Sequence, residues 1–185
     1  FPDTNCRFVL PGRPWEDVGT RFHADARLGL VRAAPEIVFA LIPETLGAAA
    51  GFTVEGYAEI AAGVMRSRAG DVRSSRPRPY QVGTLDGLRV DSDIVVEGNS
   101  VSIVQWFCVR NGYAYQMIAS APRTARDQLH DTIGDLFEGF SQIDPDLVYY
   151  GESFRPFGRA GRPAYGFTLD LAGTAWGQWE DTLSK

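Results

Sequence analysis

Most residue types that announce a chemistry are scarce in this 185-residue chain, which has two cysteines, two histidines and two methionines. Cys6 and Cys108 allow one disulfide or two buried thiols, and neither choice follows from spacing alone. No apolar run approaches the roughly 20 residues that a membrane-spanning helix requires. The longest, 37–42, has the length of a strand. Basic residues are mostly arginine and scattered, and the net charge is −5, which disfavours nucleic-acid binding because phosphate contacts need clustered cations. The densest group, Arg66, Arg68, Arg73, Arg76 and Arg78, is broken by Gly70, Asp71 and two prolines and reads as a solvated helix end and loop. No catalytic, metal or nucleotide signature stands out, so neither cofactor nor metal is expected. The chain begins with Phe1 rather than Met, which implies an upstream segment removed and leaves the compartment open.

What is present is an ordinary globular composition, 44% hydrophobic and 22% charged, at a length suited to one domain plus an extension. The chain is organised around 85–120, which reads as three antiparallel strands joined by two tight turns. Asn111-Gly112 suits a type I′ turn, whose central residues both need positive φ, and Gly98-Asn99 supplies the other turn. Counting outward, Arg110 opposes Tyr113, Cys108 opposes Tyr115 and Trp106 opposes Met117, while Ile94 opposes Ile103 and Val90 opposes Phe107. One face then carries Val90, Ile94, Val96, Val101, Ile103, Phe107, Val109 and Ile118, with Gln105 and Gln116 as polar exceptions; this is the expected core face. The other mixes Trp106, Cys108, Tyr113, Tyr115 and Met117 with Arg89, Asp91 and Asp93.

Around this meander, 6–10 predicts a short strand stopped by Pro11-Gly12, with Trp15 as an anchor under the sheet. Segment 20–34 is ambiguous between a strand at RLGLVRA and a short helix from Asp25. Segment 36–43 predicts a buried strand ending at Pro43. Thr53 caps a helix over 54–68 whose apolar face is Tyr57, Ile60, Ala61, Val64 and Met65, ended by Gly70. Segment 72–82 is extended, with two prolines that suit a sheet edge or a loop, and Asp86-Gly87 turns the chain into the meander. A second helix spans 124–140, opened by a capping-box-like Thr124 and Asp127, with a stripe of Leu129, Ile133, Leu136, Phe137 and Phe140 for the core face. His130 falls on its polar side as a solvated group. From 149 to 162 the chain is rich in Gly, Arg and aromatics and reads as an arm. Phe8, Leu10, Gly12 and Trp15 are answered by Phe167, Leu169, Gly173 and Trp176, as in the opening of a second repeat or a final strand returning to the sheet.

This order of elements is an α+β fold, an antiparallel sheet sandwiched by helices. With its opening FVLPGRPW, Gly87, the NGYAYQMIAS strand and the helix DQLHDTIGDLFEGF, the chain resembles the PsbP-like family, including Ran-binding Mog proteins and DcrB-type envelope proteins. The likeness divides the chain into a PsbP-like domain over 1–146 and a linker plus strand over 147–185. It implies a non-catalytic module that binds other proteins, carries over no active-site residue, and leans toward a bacterial envelope or periplasmic location.

The leading functional expectation is therefore a protein-binding or assembly module with an unidentified protein partner. Its candidate residues are Arg89, Asp91, Asp93, Trp106, Tyr113 and Tyr115 on the mixed face, with Tyr150 and Phe154 on the arm, through which self-association is an option. The alternative is a small-molecule carrier for lipid or another apolar ligand, with a START-like pocket. A 54–68 helix covering the Trp106 face would leave no room for that pocket. Catalysis is the weakest reading. It would rest on Asp91 with Asp93, or on Cys108 with His130, and Cys108 is expected on the face away from the closing helix.

Overall fold

The computed structural model describes residues 1–47, 51–69 and 71–150, and of 151–185 only the backbone of four short strands. In chain order the elements are β1 (Cys6–Phe8), β2 (Trp15–Asp17), β3 (Leu28–Ala33), β4 (Glu36–Thr45), α1 (Val54–Arg68), β5 (Asp71–Ser74), β6 (Arg78–Val82), β7 (Leu85–Val96), β8 (Asn99–Arg110), β9 (Tyr113–Pro122), α2 (Arg126–Glu138) and β10 (Phe140–Gln142). The fold is α+β. An eight-stranded antiparallel sheet runs β2-β3-β4-β9-β8-β7-β5, with β6 also paired to β7, and β1 pairs with β10 in a separate ribbon.

The meander forms as anticipated, with one change of register. Asn111 and Gly112 take positive φ and join β8 to β9, so Cys108 faces Tyr115 and Trp106 faces Met117. The other turn sits at Glu97-Gly98, with φ of 51° and 81°, rather than at Gly98-Asn99. Ile94 therefore pairs with Val101 and Val90 with Gln105. The slip is two residues, so every side chain keeps its face. Asp86-Gly87 is not a turn: both residues lie within β7, and the chain reverses one step earlier, between Val82 and Leu85. Gly87 is needed for packing instead, because a Cβ there would lie 2.5 Å from the Trp106 Nε1 and 2.3 Å from the Phe107 carbonyl oxygen.

β3 settles the ambiguous segment as strand, and β4 runs past Pro43 to Thr45. The Leu41 carbonyl accepts from the Arg27 N–H on the β3 side, and alternation turns residue 43 the same way. Since β3 has ended by then, the missing proline N–H is asked for by no neighbour. Trp15 lies in the edge strand β2, half-buried against the main core with the Arg32 guanidinium over its ring, so it anchors from within the sheet rather than from beneath it.

The two helices occupy the faces opposite to those anticipated. α2 packs Leu129, Ile133, Leu136 and Phe137 into one core with Trp106, Cys108, Tyr115, Met117, Phe39 and Leu41. The Val90 and Phe107 face receives α1, through Tyr57 and Ala58. The reason is area: the aromatic face offers more surface to bury than the Val and Ile face, and α2 carries the larger apolar stripe. A 3-10 turn (Arg123–Ala125) precedes α2, and no side chain caps its start, so the Thr124 and Asp127 box does not form. α1 is capped as expected, Thr53 Oγ accepting from the Gly56 N–H at 3.1 Å, and it ends at Arg68. Gly70 lies outside the described residues.

Cys6 and Cys108 are buried free thiols, which settles the disulfide question. The Asn5 carboxamide donates to the Asp144 carbonyl at 2.6 Å and accepts its N–H at 2.9 Å, tying residue 144 to the N-terminus. Beyond it, Tyr149 donates its N–H to Asn111 and sets its ring 5.8 Å from Tyr113. Further on, Phe154–Pro156 pairs with Gly177–Trp179, and Arg159–Arg162 with Phe167–Asp170.

Candidate functional site

The aromatic members of the expected binding face are core residues. Trp106 and Tyr115 are fully buried and Tyr113 is 4% exposed, because α2 and the β1–β10 ribbon cover them. Trp106 donates its indole N–H to the Tyr80 carbonyl at 2.9 Å and lies 5.7 Å from the Phe140 ring. The Tyr115 hydroxyl donates to the Thr4 carbonyl at 3.2 Å and accepts from Gln142. Burial pushes the Tyr113 and Tyr115 phenols up, and the Cys108 thiol up to about 12.

Arg89, Asp91 and Asp93 sit at the rim of the same face, Arg89 paired with Asp91 and Asp93 with Arg126. Arg89, 7% exposed, donates to Asp91 at 2.8 Å, lies 2.8 Å from His130 Nδ1 and stacks over Tyr80. Arg78 also donates to Asp91, while Arg126 and Ser102 donate to Asp93. His130 is thus held by arginines, where a solvated ring was expected. Cys108 does share α2's face, contrary to expectation, but as a protonated, buried thiol. Among the described residues no group of three His, Cys, Asp or Glu side chains converges to hold a metal. Tyr150 is half-buried, and the Phe154 side chain lies outside the described residues.

The open site is on the other face, beside α1. Of that helix only Tyr57 and Ala58 are buried, at its N-terminal end, where the Tyr57 ring meets Phe107 edge-on at 5.9 Å. The Tyr57 hydroxyl donates to the Glu44 carboxylate, and burial first, then Glu44, raise the phenol above its ordinary range. Beyond Ala58 the helix buries no further residue. Ile60 and Val64, expected in the core, are 57% and 46% exposed.

Between them and the sheet runs a groove of about 640 Å³, walled by Ile60, Val64 and Met65 on one side and by Phe22, His23 and Asp25 on the other. Its floor is Ile42, Ile94, Ile103 and Ile118 with Gln105 and Gln116. A second groove, about 340 Å³, lies along the opposite flank of α1 and shares Met65 and Gln105 with the first. The alternation that marked Gln105 and Gln116 as polar exceptions on an apolar face was the sequence signal for this site. Ile60 and Val64 gave none, since helical spacing does not distinguish a buried stripe from an exposed one.

Comparison with solved structures places the fold. LpqN of Mycobacterium tuberculosis, a protein involved in cell envelope biogenesis, superposes with a TM-score of 0.58 at 14% identity, over 74% of this chain and 82% of its own. The cyanobacterial PsbP protein CyanoP from Synechocystis sp. PCC 6803 does so with a TM-score of 0.57 at 10% identity, over 77% and 89%. No protein-family model and no curated protein sequence matches the chain. The likeness is one of fold: the chain has a PsbP-like α+β architecture.

Proposed function

We propose that this protein is a non-catalytic binding or assembly module of the PsbP-like sandwich type, and that it engages its partner through the face carrying α1. The carrying observation is the groove beside α1, where Ile60, Val64 and Phe22 are exposed while the aromatics of the opposite face are consumed by the core. Aliphatic groups left in the open keep their hydrophobic free energy available for association. In this reading the Arg89, Asp91 and Asp93 network braces α2 against the sheet edge rather than meeting a partner. A division after residue 146, self-association through the arm and an envelope location belong to the same proposal. The envelope location is supported by the fold shared with LpqN, a protein involved in cell envelope biogenesis.

The test is photo-crosslinking in the native host, with a benzophenone amino acid at position 60 or, as a control, at the exposed Asp131 of α2. A discrete protein adduct from position 60 and none from 131 is the expected result; adducts from neither overturn the reading.

The groove volume favours one other reading, a carrier for a small apolar ligand, since pockets of a few hundred Å³ suit such molecules. Native mass spectrometry of the purified protein separates the two: a bound small molecule of defined mass supports the carrier.

A further inference from the structure

From the floor of the groove we infer that the occupant is an extended peptide segment, recognised through its backbone by Gln105 and Gln116. This rests on the binding-module reading and adds the chemistry of the ligand. Both glutamines are more than nine-tenths buried, at 5% and 8% exposure, and both line the groove. Neither carboxamide hydrogen-bonds any group among the described residues. Both carboxamides reach the groove and its water, so a ligand that displaces this water must answer them or leave each unsatisfied at a cost of about 1–3 kcal/mol.

The chemistry of the pair selects the ligand. A carboxamide offers one acceptor and one donor group, the complement of a peptide unit; an acyl chain would leave both glutamines unanswered. The spacing agrees. Gln105 pairs with Ile118 and Phe107 with Gln116, so the two glutamines are diagonal neighbours on adjacent strands, about 7–8 Å apart. An extended chain advances about 6.4–6.8 Å per two residues and presents equivalent backbone groups at that interval. One peptide can therefore meet both glutamines with alternate units while its intervening side chains reach Ile60 and Val64 on one wall or Phe22 on the other.

The experiment presents a library of capped heptapeptides with apolar residues at alternate positions to the full chain and to the Gln105→Leu/Gln116→Leu variant. Leucine keeps the volume, and circular dichroism and urea melts check that the variant folds. The inference predicts enrichment on the wild type, at least tenfold weaker binding of the enriched peptides to the variant, and a similar loss when they are N-methylated at alternate residues. Equal binding by wild type and variant, or no loss on N-methylation, overturns it. So does no enrichment together with uptake of a fluorescent lauroyl probe, which assigns the groove to an acyl chain. If position 60 still crosslinks to a protein in the glutamine variant, the module reading stands and only the backbone-recognition inference falls.

Discussion

Gly87 and Trp106 make a single packing unit: the indole lies where a Cβ on residue 87 would be, and its N–H is anchored to Tyr80. Gly87→Ala should therefore cost about 1–3 kcal/mol, read as a lowered urea midpoint with unchanged slope. Gly134→Ala makes the opposite case. That position lies inside α2, and a Cβ there meets nothing within 4 Å, so alanine should stabilise by about 0.5–1 kcal/mol through helix propensity. Cys108 supplies a pH dependence. Burial raises its thiol from 9.0 to about 12, so the unfolded chain ionises first as pH rises. The resulting stability is complete below about pH 9 and is lost as pH climbs through about 12. Tyr57 and Tyr115, also raised, add to the loss at the alkaline end. Urea melts from about pH 8 to 10.5 should show stability falling, less steeply in Cys108→Ala; identical slopes would refute the assignment.

At the scale of elements, the two helices differ in how they are held. α2 buries Leu129, Ile133, Leu136 and Phe137 along its length, whereas α1 buries only Tyr57 and Ala58, with Val54 and Ala61 packed partly beside them. Local opening free energy follows such seating. Amides in the C-terminal half of α1 should exchange with deuterium at least tenfold faster than those of α2, and protection equal to α2's would show that α1 is not the more weakly held helix. The difference was only half legible in the sequence. The α2 stripe is continuous and its burial followed; α1 shows the same spacing, yet Ile60 and Val64 line a groove and stay exposed.

Across the whole molecule, stability and recognition are divided between the two sides of one sheet. The α2 side holds Phe39, Trp106, Tyr115 and Phe137 in a continuous aromatic core. The α1 side has two smaller clusters separated by the groove. Phe137→Ala should accordingly cost about 3–5 kcal/mol. Ile60→Ser, at an exposed position, should stay within about 0.5 kcal/mol of the wild type in urea melts while abolishing the peptide enrichment.

What the sequence determined by itself was the division of residues between faces. Strand alternation is a property of the backbone, and the Asn111-Gly112 turn set the β8–β9 register that put Trp106 with Tyr115 and Gln105 with Ile118. Even expecting the turn at Gly98-Asn99 instead of Glu97-Gly98 preserved that division, because the register shifted by an even number of residues. Only the tertiary structure decided which helix covers which face, and so whether Trp106 or Gln105 is open to a ligand. That choice depends on comparing the area each pairing buries across the whole chain, a long-range sum that no local period encodes.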